Sequence, residues 1–212
     1  MTRRHLYLVV DGPSDAVFWT KQARGHYPGI VLKVHDLNRR TPAGEFDKII
    51  ADAKDMNYDY VLFLTDEDAD PDPRANVTAI AERIQALKKD DPTAAGRVKA
   101  FGVCRGLEGW LLSDAAAINR VFPRADFKLK GKTDSISDCK GEVQQKVYKR
   151  QYGQAHPFTE REFAGKMACQ VNFDRAAQCS DSLASFWASM RHIFGQTPGH
   201  DSTIPGTKEP RQ

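Results

Sequence analysis

Two apolar runs that each lead into aspartate constrain the fold of this chain most strongly. Residues 6–10 and 60–64 are unbroken stretches of strand-forming residues, and strands that are apolar on both faces are typical of the interior of a parallel sheet. The first run is followed by Asp11, and the second by Thr65 and Asp66. Loops at the carboxyl ends of parallel strands converge at one edge of the sheet. The sequence therefore predicts a group of acids at that edge.

Strand and helix patterns alternate through the first half of the chain. Further strands are predicted at residues 30–34 and 98–103, and helical spacing predicts helices at residues 16–24, 45–56, 77–87 and 107–112. Such alternation is the pattern of a doubly wound α/β fold. We therefore predict a central parallel sheet of about four strands with helices on both faces.

The second half of the chain has a different pattern. From Asp114 onward no stretch predicts a strand, and helices are predicted over residues 141–152, 159–167 and 182–194. The final residues are rich in Pro, Gly, Thr and charge, a composition typical of a flexible terminus. We expect three parts, namely an α/β core at 1–114, a C-terminal helical extension packed on the core at 115–194, and a flexible tail at 195–212.

Composition excludes few functions but indicates the cellular compartment in which the protein is expected to work. The 212 residues contain 31 Lys and Arg against 28 Asp and Glu, so the net charge of +3 does not by itself indicate nucleic acid. A nucleic-acid ligand would need a local basic patch. The four cysteines match no zinc spacing, and no apolar run is long enough for a signal segment or a membrane span. These features predict a cytoplasmic protein with reduced thiols and no membrane contact.

The acids predicted to share the sheet edge are Asp11, Asp15, Asp66, Asp68 and Glu108. Crowded carboxylates repel one another and stay ionised only beside a compensating cation. Oxygen ligands favour a hard ion such as Mg²⁺ or Mn²⁺. Each acid alone has an ordinary explanation, since Asp15 suits the start of a helix and Asp66 suits a helix cap. Their joint placement after two buried strands is what favours a metal site.

The acidic motifs resemble those of the Toprim superfamily, the metal-binding fold shared by topoisomerases, primases and OLD-family nucleases. The turn DGPSD at 11–15 is similar to the Glu-Gly-x-Thr-Glu of OLD-like members, and DED at 66–68 is similar to the superfamily's Asp-x-Asp. The stretch LEGWLLSD at 107–114 resembles the E-x-W-L-L-x-D signature of a Toprim-like family of unknown function linked to phage defence. Residues 182–187, SLASFW, resemble the closing Ser-Phe segment of that family.

This resemblance implies a Toprim/Rossmann-like sheet and a Mg²⁺- or Mn²⁺-dependent nuclease or phosphodiesterase that acts on nucleic acid, with a role in phage defence. The implied catalytic residues are Asp11, Asp66, Asp68 and Glu108, and the implied metal ligands are these four with Asp15. A two-metal arrangement would assist in-line displacement at the scissile phosphate. A partner protein that supplies an ATPase is a further expectation.

Basic residues near these motifs are candidates for binding phosphate. Arg105 follows the fourth predicted strand and would neutralise the scissile phosphate, while Lys128, Lys130 and Lys132 would hold the nucleic-acid strand as point charges. The three lysines fit a solvated amphipathic segment equally well. Their role therefore depends on where the fold places them.

Two other functions fit the same residues. Asp11 stands where the Toprim superfamily usually has Glu, and the shorter side chain is consistent with a catalytically impaired module that binds metal or a partner. A receiver-like phosphotransfer domain would use an aspartate after the third strand as its phosphate acceptor. That alternative is weaker, because Arg105 rather than lysine follows the fourth predicted strand.

Overall fold

The computed structural model describes residues 4–26, 30–67, 72 and 74–194. Asp68 and the predicted tail at 195–212 lie outside the described residues. The four strands are β1 (Arg4–Val10), β2 (Ile30–Asp36), β3 (Tyr60–Asp66) and β4 (Val98–Val103). All pair in parallel, in the order β2-β1-β3-β4. The predicted α/β fold with a four-stranded parallel sheet is confirmed.

Helices connect the strands and form the predicted crossovers. They are α1 (Pro13–His26), α2 (Pro42–Asp55), α3 (Ala75–Asp90) and α4 (Pro92–Ala95), and α5 (Gly106–Leu112) follows β4. Proline at the first position of α2 and α4 starts each helix without loss of a hydrogen bond. The Asp91 carboxylate caps α4 by accepting from the Ala94 backbone N–H at 2.8 Å. The sequence pattern missed α4 because four residues are too short to show a helical period.

Among the described residues, everything after β4 is helix or loop, as the sequence pattern predicted. The helices are α6 (Ala115–Val121), α7 (Cys139–Glu142), α8 (Lys149–Tyr152), α9 (Glu160–Met167), α10 (Phe173–Ala176) and α11 (Asp181–Phe194), with a 3₁₀ turn at Thr133–Ser135. A π-helical segment, Val143–Tyr148, joins α7 to α8 in one continuous helical run. The short helices α6 and α10 were not predicted, and each begins at an Asp or Asn cap.

Two apolar cores lie on opposite faces of the sheet. The side chains of β1 alternate between them, with Leu6 and Leu8 in one core and Tyr7 and Val9 in the other. The first and larger core also contains buried residues of α1, α5 and the C-terminal helices, whereas the second is covered by α2 and α3. Helices therefore cover both faces and leave the carboxyl ends of the strands for the loops that carry the acids.

Candidate functional site

Two of the predicted acids, Asp11 and Asp66, lie where the strand order reverses. β1 lies between β2 and β3, so the chain moves outward in opposite directions from the β1–β3 pair. Ligands of open α/β sheets bind in the crevice beyond such a reversal. Asp11 follows β1, and Asp66 is the last residue of β3. The Asp11 carboxylate oxygen Oδ2 accepts a hydrogen bond from the Asp66 backbone N–H at 2.6 Å, which joins the two strand ends.

Glu108 reaches the same crevice from β4 through a sharp reversal of the chain. Arg105 and Gly106 both have positive φ angles, 61° and 69°, and α5 begins directly after this turn. Glu108 lies in the first turn of α5 and is only 4% exposed. A Cβ added at Gly106 would lie 3.2 Å from Glu108 Oε2 and 3.6 Å from Asp66 Oδ2. The two carboxylates therefore border the same small space.

Gly106→Ala tests whether this small space matters for function. Alanine at a left-handed φ costs about 1 kcal/mol of stability, and here its methyl group would also press against the Glu108 carboxylate. Gly131 is the matched control, because its φ is 79° and nothing lies within 4 Å of an added Cβ. We expect Gly106→Ala to lower the urea midpoint at least as much as Gly131→Ala, and only Gly106→Ala to impair the metal-dependent activity proposed below. Equal activity of the two variants would contradict this placement of Glu108.

Asp15, in the first turn of α1, belongs to the same acidic group. The pKa of Asp15 is raised to about 7, chiefly by burial. The negative charges of Glu108, Asp11 and Glu160 also raise this pKa, whereas a backbone hydrogen bond lowers it. Acids from the turn after β1 and from α1, β3 and α5 therefore form one group. We call Asp11, Asp15, Asp66 and Glu108 the acidic cluster.

The raised pKa of Asp15 predicts an unusual dependence of stability on pH. Between pH about 4, where an unfolded aspartate titrates, and pH about 7, the folded chain holds a proton at Asp15 that the unfolded chain has lost. The free energy of unfolding therefore falls as pH rises through this window. We expect Asp15→Asn to gain stability relative to the wild type between pH about 5 and pH about 8 in metal-free buffer. Urea titrations that give parallel pH profiles for the two proteins would contradict the raised pKa.

Two charged residues of the site, Lys140 and Glu160, belong to none of the sequence motifs. Lys140 Nζ of α7 lies 3.0 Å from Glu160 Oε1 of α9. Burial alone would lower the pKa of Lys140, but the Glu160 hydrogen bond and the charges of Glu108, Glu160 and Asp66 raise it above its usual value. Lys140 therefore carries positive charge beside the acidic cluster. No local signal marks either residue, because both reach the crevice only through the packing of the C-terminal helices.

Arg105 is placed at the amino end of α5, as the phosphate-binding prediction requires. Its Nε atom is buried and has no hydrogen-bond partner within the described part of the chain. Buried donors in folded proteins are nearly always paired with protein, water or a ligand. The environment of Arg105 therefore suits an acceptor that binds from outside the chain, and a phosphate oxygen is one such acceptor.

The fold does not bring the three predicted lysines to one place. Lys128 and Lys130 line a groove beside the helical run at 139–152. Lys132 points elsewhere, because its Nζ atom lies 2.5 Å from Asp181 Oδ1 at the start of α11. Asp68, predicted as both a catalytic residue and a metal ligand, lies outside the described residues.

The donor chemistry of the acidic cluster fits a hard divalent cation. All its ligand atoms would be carboxylate oxygens, which Mg²⁺ and Mn²⁺ prefer, and the raised pKa of Asp15 shows that the cluster resists further negative charge. Within residues 4–26, 30–67, 72 and 74–194, no three His, Cys, Asp or Glu side chains stand in a coordinating arrangement. Rotation of these side chains about the shared space beside Gly106 would be needed to complete the coordination.

The chain is similar to solved structures at low sequence identity. It is similar to the C-terminal region of the Burkholderia pseudomallei OLD protein, with a TM-score of 0.48 and 16% sequence identity over 91% of this chain and 98% of that chain. No family model and no curated protein matches the chain. None of the helices in the described ranges is both long and apolar enough to cross a membrane.

Proposed function

We propose that this protein is a Mg²⁺- or Mn²⁺-dependent nuclease or phosphodiesterase that acts on nucleic acid. The observation that carries the proposal is the meeting of Asp11, Asp66 and Glu108 at the carboxyl ends of three parallel strands, where the strand order reverses. The resemblance of the motifs at 11–15, 66–68 and 107–114 to Toprim motifs supports the same chemistry. A role in phage defence with an ATPase partner stays a prediction.

The acidic cluster and Asp68 would hold the cation. When bound, the cation would supply Lewis-acid polarisation of the scissile phosphate. Arg105 and Lys140 would neutralise the charge of the phosphate from the protein side. The Nε atom of Arg105 is a buried donor without a partner among the described residues, and the charges of Glu108 and Asp66 raise the pKa of Lys140. These two residues would therefore orient the phosphate against the carboxylates.

Asp15 would be the ligand whose protonation depends on the cation. In the metal-free protein, burial and the neighbouring carboxylates raise the pKa of Asp15 to about 7. Its Oδ2 atom lies 3.7 Å from the position of a Cβ on Gly12, so the carboxylate faces the turn after β1. Asp15 would hold a proton in the metal-free protein and release it when the cation binds.

Cleavage assays test this proposal. Labelled single-stranded DNA, duplex DNA and RNA are incubated with Mg²⁺ or Mn²⁺, using the wild type, Asp66→Ala and the control Asp59→Asn. Asp59 is at the opposite end of β3, where its Oδ2 atom accepts from the His5 backbone N–H. Metal-dependent cutting by the wild type and Asp59→Asn, and not by Asp66→Ala, would support the proposal. Metal binding in calorimetry without cutting would favour the impaired binding module, and the absence of both would contradict the metal site.

A phosphotransfer function has one observation in its favour. The order β2-β1-β3-β4 is also the order of the first four strands in flavodoxin-like folds, which include receivers. In that alternative the Asp66 carboxylate would attack acetyl phosphate, and acetate would leave. Phosphate incorporation that disappears in Asp66→Ala, together with the absence of nuclease activity, would favour the receiver-like function.

A further inference from the structure

A groove lies beside the helical run formed by α7, the π-helical segment and α8. One wall is the extended segment 126–130, and the other carries Glu142, Lys146 and Arg150. The groove encloses about 400 Å³, which lies within the usual range of small-ligand sites. We call it the basic groove.

Positive charge predominates in the basic groove. Its walls carry Lys128, Lys130, Lys146 and Arg150 against the two carboxylates of Asp126 and Glu142. Lys128 lies 3.6 Å from Asp126, but both side chains are more than three-quarters exposed, and such pairs contribute little. Lys130 has no ion-pair partner among the residues described. These amines are therefore available to a polyanion.

The remaining charged groups are held in place by the helical run. Lys146 Nζ lies 2.5 Å from Glu142 Oε2 one turn earlier, and Arg150 Nη1 donates to the Ala125 carbonyl at 3.1 Å. That bond fixes the guanidinium at the groove and leaves its other N–H groups for a ligand. Both cations are thus positioned before any ligand binds, which lowers the ordering cost of binding.

The floor of the basic groove is apolar. Leu129 and Ile136 are half-buried there and pack against the larger core, and Phe127 beneath them is buried. A charged rim over an apolar floor suits a single nucleic-acid strand, because its sugars and base faces are exposed to apolar contact while its phosphates meet the cations. In a duplex the base faces are stacked inside, so the floor would have no partner.

The helical run also connects the basic groove with the acidic cluster. Cys139 Sγ, at the start of this run, lies 3.5 Å from the position of a Cβ on Gly109, the residue after Glu108. Lys146 in the groove is roughly two helical turns later on the same run. The run passes through a π-helical segment at Lys146, and π-helical turns occur frequently at functional sites.

We propose that the basic groove binds the backbone of single-stranded nucleic acid and leads the strand to the acidic cluster. This inference rests on the nuclease function proposed above and adds the substrate class and the residues that hold the strand. Lys128, Lys130, Lys146 and Arg150 contact phosphates, while Leu129 and Ile136 contact sugars and bases. Lys132 takes no part, because it does not line the groove.

Binding in the absence of metal tests the inference separately from cleavage. Fluorescence anisotropy of labelled oligo-dT, oligo-U and duplex DNA is measured in EDTA over a series of salt concentrations for three proteins. These are the wild type, Lys130→Glu/Lys146→Glu, and the control Lys88→Glu/Lys89→Glu. The control changes the net charge equally, but its lysines lie in the last turn of α3, which packs on the other face of the sheet. Thermal melts by circular dichroism establish that all three proteins are folded.

We expect the groove variant to bind on the order of tenfold more weakly than the control, with a slope of log affinity against log salt reduced by about 1.4. Equal affinities of the groove variant and the control would overturn the groove and leave the nuclease proposal standing. Tighter binding of duplex than of single strand by the wild type would also overturn it. If the wild type neither binds nor cleaves any oligonucleotide, both the groove and the nuclease proposal are overturned.

Discussion

Glu108→Gln is expected to lower metal-dependent cleavage on the order of 10³-fold, the size of effect seen when one fixed electrostatic group is removed from an active site. Glu108 is 4% exposed and shares the space beside Gly106 with Asp66. Glutamine has nearly the same shape, so the packing of α5 is retained while one negative charge is lost. The substitution also removes a charge that raises the pKa of Asp15. The rate of cleavage at saturating Mn²⁺ is the measurement.

Glu45→Gln is the matched control for this loss. Glu45 also lies in the first turn of a helix that follows a strand, but it pairs with Arg40 at 3.1 Å on the surface. We expect Glu45→Gln to cleave at nearly the wild-type rate. Full activity in Glu108→Gln, or an equal loss in both variants, would remove Glu108 from the proposed site.

Arg175→Ala is expected to cause the largest loss of stability, about 3 kcal/mol, because it leaves the buried Asp114 carboxylate without its charged partner. Asp114 is fully buried and accepts two hydrogen bonds from Arg175 at 2.7 Å. Burial alone would raise the pKa of Asp114, but Arg175 and the backbone N–H groups of Asn172 and Ala117 lower it below its usual value. The free energy of unfolding from urea titration at neutral pH is the measurement.

Arg191→Ala is the control for that measurement. Arg191 pairs with Asp174 at 3.2 Å, and both side chains are more than half exposed. Exposed pairs contribute about 0–1 kcal/mol, so the free energy of unfolding of this variant should be close to that of the wild type.

The stability due to the Asp114 pair is present above the pKa of an unfolded aspartate and is lost as pH falls through the lowered pKa of the folded state. A loss below about 1 kcal/mol in Arg175→Ala would show that Asp114 tolerates its burial without this partner.

The two central strands, β1 and β3, were predictable because each contains five consecutive apolar residues. The strand order was not predictable in the same way. It depends on pairing between residues far apart in the chain, such as Leu8 with Leu62 and Leu8 with Val34, and no local pattern records which partner is chosen. The π-helical segment was also missed, because one extra residue in a turn hardly changes the apolar spacing of the helix.

The acids of the site were predictable for a related reason. Asp11 and Asp66 follow buried strands, so the position of each in the sequence fixes its position at the sheet edge. Lys140 and Glu160 were not predictable, because they come from helices whose packing depends on the whole larger core. A basic residue near a motif can also form an ion pair at the surface that the sequence does not indicate, as Lys132 does with Asp181.

Diffraction from crystals grown with Mn²⁺ tests the proposed metal site without any assumption about activity, since anomalous scattering locates the ion itself. We expect an anomalous peak among the carboxylates of Asp11, Asp66 and Glu108, beside Gly106, which disappears in crystals of Asp66→Ala. A peak at another position, or none at a Mn²⁺ concentration that supports cleavage, would contradict a metal site at the carboxyl ends of these strands.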